Sequence, residues 1–271
     1  MPEGPETKRM ADSLSKTIKE KEIVSANFLY PTVRSLNNVK NLFVSDVTSL
    51  GKSIIIRLSS NQSIITHNQL YGKWSFNLLN TKIKHNRKLR IEFLTEKKVA
   101  RLWSATDIVL LRSADEKKHH YIKNLGPDIL DQLITNTNVI ERLKSKPYRN
   151  RNLGGLLLNQ RFISGLGNYL RSEILFFSGL MPSTKPNNLT KVQSETLAMS
   201  IKQISMRAYY QKGNTIDKMD FNERFGNADN FRLIRHMVFG RANQPCFHCG
   251  DKIQKIFQSS RRLYFCKTCQ S

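Results

Sequence analysis

Three things are scarce in this chain, and each scarcity narrows what it can be. Long apolar runs are missing: the longest, such as Ser53–Ile56 and Gly154–Leu158, fall far short of the ~20 residues that span a bilayer. No basic amphipathic helix or lipidation signal stands out, and the opening MPEGPETKRM has no hydrophobic stretch that would make a secretory signal. Cysteine is absent until residue 246, after which four fall within the last 26 residues. A secreted disulfide scaffold would spread its cysteines along the chain, so the clustering points to a metal and to a reducing, intracellular setting. Acidic residues are the third scarcity: 21 Asp and Glu face 44 Lys and Arg, for a net charge of +23. A surplus of that size calls for a polyanion to relieve its self-repulsion. With no membrane signal, nucleic acid is the favoured partner, and a merely soluble basic protein is the bland alternative.

What is present reads as a folded α+β protein. The 271 residues are enough for two compact domains, and 39% apolar with 9% aromatic content argues against disorder. Met10, Leu14 and Ile18 recur every four residues, which predicts an N-terminal helix with one apolar face. From about Glu22 to Leu111 the pattern changes to short segments rich in β-branched residues. Ser53–Leu58, Gln62–Thr66, Leu89–Phe93 and Ile108–Leu111 are examples, and turns such as Ser59-Ser60-Asn61 separate them. An antiparallel sandwich or barrel is expected there. Gly126-Pro127 marks a break, followed by about 25 residues of linker with some helix. From Leu153 helical signals dominate, and Thr190 with Gln193 has the form of a capping box opening a helix through Leu197, Ile201 and Ile204. There is no internal repeat and no low-complexity tract.

Three local motifs carry chemistry. Cys246-x2-Cys249 and Cys266-x2-Cys269, sixteen residues apart, can bring four thiolates into the tetrahedron of a structural zinc site with no open position. Two disulfides or a redox pair are the competing readings, and spacing and compartment favour the metal. Between the knuckles, Ser259–Phe265 reads as a basic hairpin turn followed by apolar residues, suited to presenting a cation to DNA. Gly165-Leu166-Gly167-Asn168 permits a tight turn into a helix whose free backbone N–H groups favour a phosphate, although the motif taken alone fits an ordinary helix corner with an Asn cap better. At the N-terminus, methionine removal would expose the secondary amine of Pro2. An α-amine is about a tenth unprotonated near neutral pH, and a lysine less than about a thousandth. Proline's amine forms a permanently cationic iminium with a sugar aldehyde carbon, and that electron sink drives elimination of phosphate. Glu3 lies beside it as a proton donor, although many proteins begin Met-Pro for no catalytic reason.

The combination resembles the formamidopyrimidine-DNA glycosylase/endonuclease VIII family. Met1–Glu6, Gly165–Asn168 and the four-cysteine module carry the likeness. His67-Asn68-Gln69-Leu70-Tyr71-Gly72, Trp103–Ile108, Leu125-Gly126-Pro127-Asp128, Arg149–Ile174 and Ser259–Cys269 extend it over essentially the whole chain, on the endonuclease VIII side. The resemblance implies an N-terminal catalytic β-sandwich domain with its helix over 1–125, a linker over 126–150, a helix–two-turn–helix DNA-binding domain over 151–235 and a zinc-finger module over 236–271. In the family, DNA lies between the domains. One zinc ion, structural, is the expected cofactor. The implied activity is a bifunctional DNA glycosylase and AP lyase of base-excision repair that removes oxidised bases, pyrimidines favoured, and cleaves by β,δ-elimination.

The same resemblance implies roles for single residues. Pro2 would be the nucleophile at C1′, Glu3 the acid that opens the sugar ring, and Lys52 a phosphate-reaching residue that assists catalysis. Asn168 and Arg261 would grip phosphates beside the lesion, Arg261 also serving the second elimination, with Glu6 a second acid near the site. Gln69, Leu70 and Tyr71 would form the wedge that fills the space left by an extruded base. One departure is Asn124, which stands where the branch tends to carry a basic residue and puts one phosphate contact in doubt. Damaged duplex DNA is the expected partner, single strands are left open, and a monomer located with DNA, in cytoplasm, nucleoid or nucleus, is expected. An oxidised-purine enzyme and a non-catalytic zinc-ribbon binder are the rivals.

Overall fold

The computed structural model describes residues 2–219, 221 and 234–271. By contact they divide into two compact units: Pro2 with Glu6–Asn124, and Glu3–Pro5 with the chain from Leu125 onward. In the first unit, helix α1 (Gly4–Ile18) buries Leu14 and Ile18 completely and packs Met10 against the same core, the face that the four-residue spacing predicts. Eight strands follow: β1 (Ser25–Phe28), β2 (Val44–Leu50), β3 (Ser53–Leu58), β4 (Gln62–His67), β5 (Lys73–Leu78), β6 (Leu89–Leu94), β7 (Lys98–Trp103) and β8 (Asp107–Arg112). They form two antiparallel sheets, in the orders β1-β6-β7-β5 and β2-β3-β4-β8. Phe28, Trp74, Ile91, Phe93 and Leu102 from one sheet share a core with Val47, Ile54, Ile56, Ile64 and Ile108 from the other, so the expected sandwich is present. The four sequence-predicted segments coincide with β3, β4, β6 and β8.

Strand β3 explains why Ser53–Ile56 reads as a continuous apolar run instead of an alternation. Ile54 and Ile56 face the sandwich interior, while Ile55 and Ile65 of β4 pack on the outer face beneath Ile122, Tyr121, Leu50 and Leu111. A strand covered on both faces needs no polar side. That second layer carries Tyr121 to the β2–β3 turn, where it meets the backbone of Lys52.

The second unit is built from α2 (Asn136–Lys144), α3 (Leu153–Leu156), α4 (Asn168–Phe177), α5 (Lys191–Tyr210) and a hairpin of β9 (Gln254–Gln258) and β10 (Arg261–Phe265). Helix α5 opens on the predicted capping box: the Thr190 hydroxyl accepts the Gln193 N–H, and the Gln193 side-chain Oε1 accepts the Thr190 N–H. Leu197, Ile201 and Ile204 are buried as its periodicity requires. A second capping box, Thr135 with Asn138, opens α2, whose Val139 and Leu143 join the core of α4 and α5. Along β10 the side chains divide between two cores. Leu263 and Phe265 join the helices, while Tyr264 and Cys266 pack with Ile216, Phe221, Met237, Val238, Cys246 and Ile253. The buried Glu173 carboxylate of α4 accepts the N–H groups of Met237, Val238 and Phe239 at 2.8–2.9 Å and the Thr215 hydroxyl at 2.6 Å. The stretch expected to end the helical domain near 235 includes residues 222–233, which lie outside the described residues. Among the described residues no helix is long and apolar enough to cross a membrane.

Candidate active site

In the first unit, Lys52 occupies the tight connection between β2 and β3, where Leu50 pairs with Ser53. It is 7% exposed, unlike an ordinary surface lysine, and its N–H donates to the Tyr121 hydroxyl at 3.1 Å. Ser53 in turn pairs with His67 across β3–β4, so an imidazole that sequence reasoning did not single out stands next to the lysine. Burial lowers the His67 pKa, Asp107 opposes that shift, and Lys52, His119 and His120 add to it. The only signal for His67 was its place at the head of the His67–Gly72 motif. Pro2 is half-buried. Glu6 lies in the first turn of α1 and its carboxylate accepts from Arg9 at 3.0 Å.

The chain turns sharply after β4. The Gly72 N–H donates to the Asn68 carbonyl at 2.7 Å, and Gln69 has a φ of 47°. Leu70 and Tyr71 are 64% and 69% exposed, so neither belongs to the sandwich core. The turn is braced rather than loose. The Gln69 amide donates to Asp107 at 3.5 Å, its oxygen accepts from Thr106 at 3.1 Å, and Arg87 donates to the Tyr71 carbonyl at 2.7 Å. Two large apolar side chains are thus held in solvent by a fixed backbone.

In the second unit, Glu3 is 4% exposed and its carboxylate accepts the N–H of Tyr169 at 3.0 Å and of Leu170 at 3.3 Å. These are first-turn amides of α4, so the expectation that the Asn168 helix offers free N–H groups to a phosphate is corrected: the chain's own carboxylate takes them. Helix N-termini favour negative charge, and Glu3 supplies it intramolecularly. The glycines of Gly165-Leu166-Gly167-Asn168 serve that approach. A Cβ on Gly167 would lie 2.3 Å from the Glu3 carboxyl carbon, and Gly165, at φ +96°, accepts the Gly4 N–H at 2.7 Å. Nor does Asn168 cap the helix; Gly167 holds that position without a side-chain bond, and Asn168 is the first helical residue.

Arg261 opens β10 and is exposed, just after a two-residue turn in which Ser259 and Ser260 both have positive φ. That geometry matches the hairpin twist, and it confirms the basic hairpin read between the cysteine knuckles. Asn124 is exposed and donates its amide to the His120 carbonyl at 3.2 Å. Sequence reasoning also missed Arg171, three residues beyond Asn168 on α4, whose side chain is completely buried.

The four cysteines come together. Their sulfurs all lie within 4.8 Å of one another, with Cys246–Cys269 at 3.8 Å and Cys249–Cys266 at 3.4 Å. A disulfide would bring sulfurs to about 2.05 Å, whereas a tetrahedron with metal–sulfur bonds of ~2.3 Å spaces them by about 3.8 Å. The arrangement therefore fits a metal and not two disulfides. Burial first, then the neighbouring thiols, push the Cys269 thiol above its ordinary value.

The family profile of the Formamidopyrimidine-DNA glycosylase N-terminal domain matches residues 1–106, and that of the Formamidopyrimidine-DNA glycosylase H2TH domain matches residues 125–220. Over all 271 residues, and 100% of both chains, the sequence is 37% identical to proteins described as Endonuclease 8 from Escherichia coli O9:H4 (strain HS) and from Shigella sonnei (strain Ss046). Among solved structures, Lactococcus lactis formamido-pyrimidine DNA glycosylase bound non-covalently to DNA containing an AP site aligns with a TM-score of 0.79 at 20% identity, covering 99% of each chain. The wild-type enzyme of that organism with DNA containing an oxidized pyrimidine aligns with a TM-score of 0.79 at 22% identity over 100% of each chain. The shared fold is the β-sandwich, the helix–two-turn–helix and the four-cysteine module.

Proposed function

Because the chain belongs to the formamidopyrimidine-DNA glycosylase/endonuclease VIII family, we propose that it excises oxidised pyrimidines from damaged duplex DNA through a Schiff base on Pro2. Membership makes it a DNA glycosylase and AP lyase of base-excision repair. In the proposed course the lone pair of the Pro2 nitrogen attacks C1′ and the damaged base departs. Glu3 takes the proton that the Pro2 nitrogen loses and delivers it to the ring oxygen as the sugar opens, leaving an iminium between Pro2 and C1′. The iminium draws electrons from C2′, a proton leaves that carbon, and the 3′ phosphate is eliminated; a second elimination releases the 5′ phosphate. Lys52, Asn168 and Arg261 hold the phosphates, with Glu6 an auxiliary acid. Water then hydrolyses the iminium, which releases the sugar remnant as an aldehyde and frees Pro2.

Residues 1–125 form the catalytic domain in this reading, 126–150 connect it, 151–235 grip DNA and 236–271 carry the metal. Four thiolates without an open position fit zinc in a structural role, held by Cys246, Cys249, Cys266 and Cys269. The protein works inside the cell as a monomer on DNA. Cys249→Ser is expected to lower the zinc content and weaken DNA binding by at least about tenfold, since structural zinc carries much of the folding energy of such modules. Because β10 also packs into the helical core, the loss should reach α4 as well as the module. Metal analysis that found no zinc in protein purified without chelator would reject the assignment.

The braced turn presenting Leu70 and Tyr71 to solvent carries the duplex-lesion reading. Taking a base out of the stack costs a few kcal/mol, which inserted side chains partly recover. Leu70→Ala with Tyr71→Ala should slow excision in duplex DNA by about tenfold to a hundredfold, the kinetic equivalent of the ~1–3 kcal/mol of a lost stacking contact. Single strands have no stack to prop, so cleavage there should suffer less. The test is a panel of oligonucleotides, each with one oxidised pyrimidine or purine, in both forms, with wild type and the double variant. Equal losses on both forms would make the two side chains structural, and faster excision of purines by wild type would move the substrate to the rival branch.

A further inference from the structure

Arg171 has no part in the chemistry above, yet among the described residues it is the largest of the fully buried side chains. Burying a guanidinium costs several kcal/mol unless its donors are satisfied, and an apolar side chain of similar size would fill the same space at less cost. Its partners suggest what the charge is for. Nη1 donates to the Gly154 carbonyl at 2.7 Å and, at 3.5 Å, to that of Gln258. Nη2 donates to the Arg262 carbonyl at 3.0 Å, to the Asn168 side-chain oxygen at 3.3 Å and, at 3.5 Å, to the Arg261 carbonyl. Burial lowers the Arg171 pKa to about 10, with Glu3 opposing and Arg261 adding to the shift, so the group stays charged at neutral pH.

Two consequences follow from a group that only donates. A guanidinium has no acceptor, so the Asn168 amide must turn its oxygen toward Arg171, leaving its NH2 as the donor available to an anion. The same group holds the carbonyls at the start of β10, directly after the turn whose Ser259 and Ser260 adopt positive φ. The backbone that carries the exposed Arg261 side chain is thereby fixed to α4.

We propose that Arg171 is a positioning residue that orients both phosphate grips, Asn168 through its amide and Arg261 through its backbone. The proposal deepens the reading of those two residues given above and rests on it. Nothing in the sequence announced it, because an arginine inside a helical run reads as a solvated face.

The test uses full-length, zinc-loaded Arg171→Lys, and Arg171→Gln in case the ammonium is not accommodated. Each is measured for zinc content, melting temperature and binding to duplex DNA with an uncleavable abasic analogue over a range of salt. A lysine keeps the charge but, with three donors on one nitrogen, cannot span the five acceptors that the guanidinium fork reaches. Arg171→Lys should retain zinc, bind about tenfold more weakly and lower the slope of log affinity against log salt by about one to two, since each phosphate contact contributes ~0.9. In the Asn168→Ala/Arg261→Ala background the same substitution should change affinity by less than about twofold, the coupling expected when one residue acts through the others. Wild-type affinity in zinc-loaded variants would overturn the proposal, as would a full independent loss in the double background. Zinc loss from both variants would assign Arg171 to the fold alone, which also overturns it. Unchanged affinity and salt slope in Asn168→Ala/Arg261→Ala would instead reject the phosphate roles themselves, and this proposal with them.

Discussion

Protein whose Pro2 nitrogen is blocked, by a retained methionine or a fused tag, is expected to lose strand cleavage and borohydride trapping on abasic-site DNA. Joined to a preceding residue, that nitrogen is an amide whose lone pair is delocalised and cannot attack C1′. A retained methionine still offers a primary amine, but about 3.8 Å further along the chain. Lysine is a poor substitute at neutral pH, with less than about a thousandth of its amine unprotonated against about a tenth for an α-amine. The loss should be about a thousandfold or more, or ~4 kcal/mol of transition-state stabilisation. Pro2→Gly behaves differently: its primary amine forms an imine that must gain a proton to match the iminium, so cleavage is impaired but not abolished. Mass spectrometry of the borohydride-reduced complex locates the adduct. Trapping at an undiminished rate with a blocked terminus would sink the mechanism, and no adduct with a free terminus would favour a protein that binds DNA without chemistry.

What the sequence disclosed were features set by neighbours in the chain. The face of α1 follows from the four-residue spacing of Met10, Leu14 and Ile18, and the start of α5 from a side-chain exchange between Thr190 and Gln193. The cysteine cluster was legible because two knuckles at that spacing have few other uses. What it hid were contacts between distant residues. Glu3 and Tyr169 are 166 positions apart, and no local pattern reveals that the glycines at 165 and 167 make room for an N-terminal carboxylate. The free N–H groups inferred at that helix were a reasonable local reading, overturned by a long-range partner. Arg171 was missed for the same reason, since its acceptors come from residues 154, 168, 258, 261 and 262. Leu70 and Tyr71 were legible only through the family resemblance: apolar residues beside a strand are ordinarily buried, and the Asn68–Gly72 turn is what holds these two in solvent.

The seat of Glu3 makes Glu3→Gln the most informative single substitution. Excision of an intact damaged base should fall by roughly a hundredfold to ten-thousandfold, the range for a lost general acid. Cleavage at a preformed abasic site should fall much less, because the base has already gone and Pro2 keeps its amine. Structure must be separated from chemistry, since Glu3 also accepts the Tyr169 and Leu170 N–H groups. The glutamine oxygen can keep one of these bonds, but its NH2 then faces the other N–H, donor against donor. Losing the anion at the helix N-terminus costs about 0.3–1 kcal/mol, and an unsatisfied buried donor a further ~1–3 kcal/mol. A lower melting temperature is therefore expected, and both assays belong well below it. Glu3→Asp keeps the charge on a stem one carbon shorter and draws the carboxylate back from the two amides. If Glu3 supplies the proton, the aspartate variant should retain more excision than the glutamine variant at equal folded fraction. If the glutamine variant loses both activities equally, its carboxylate serves to hold α4 in place, and the ring-opening proton must come from another group.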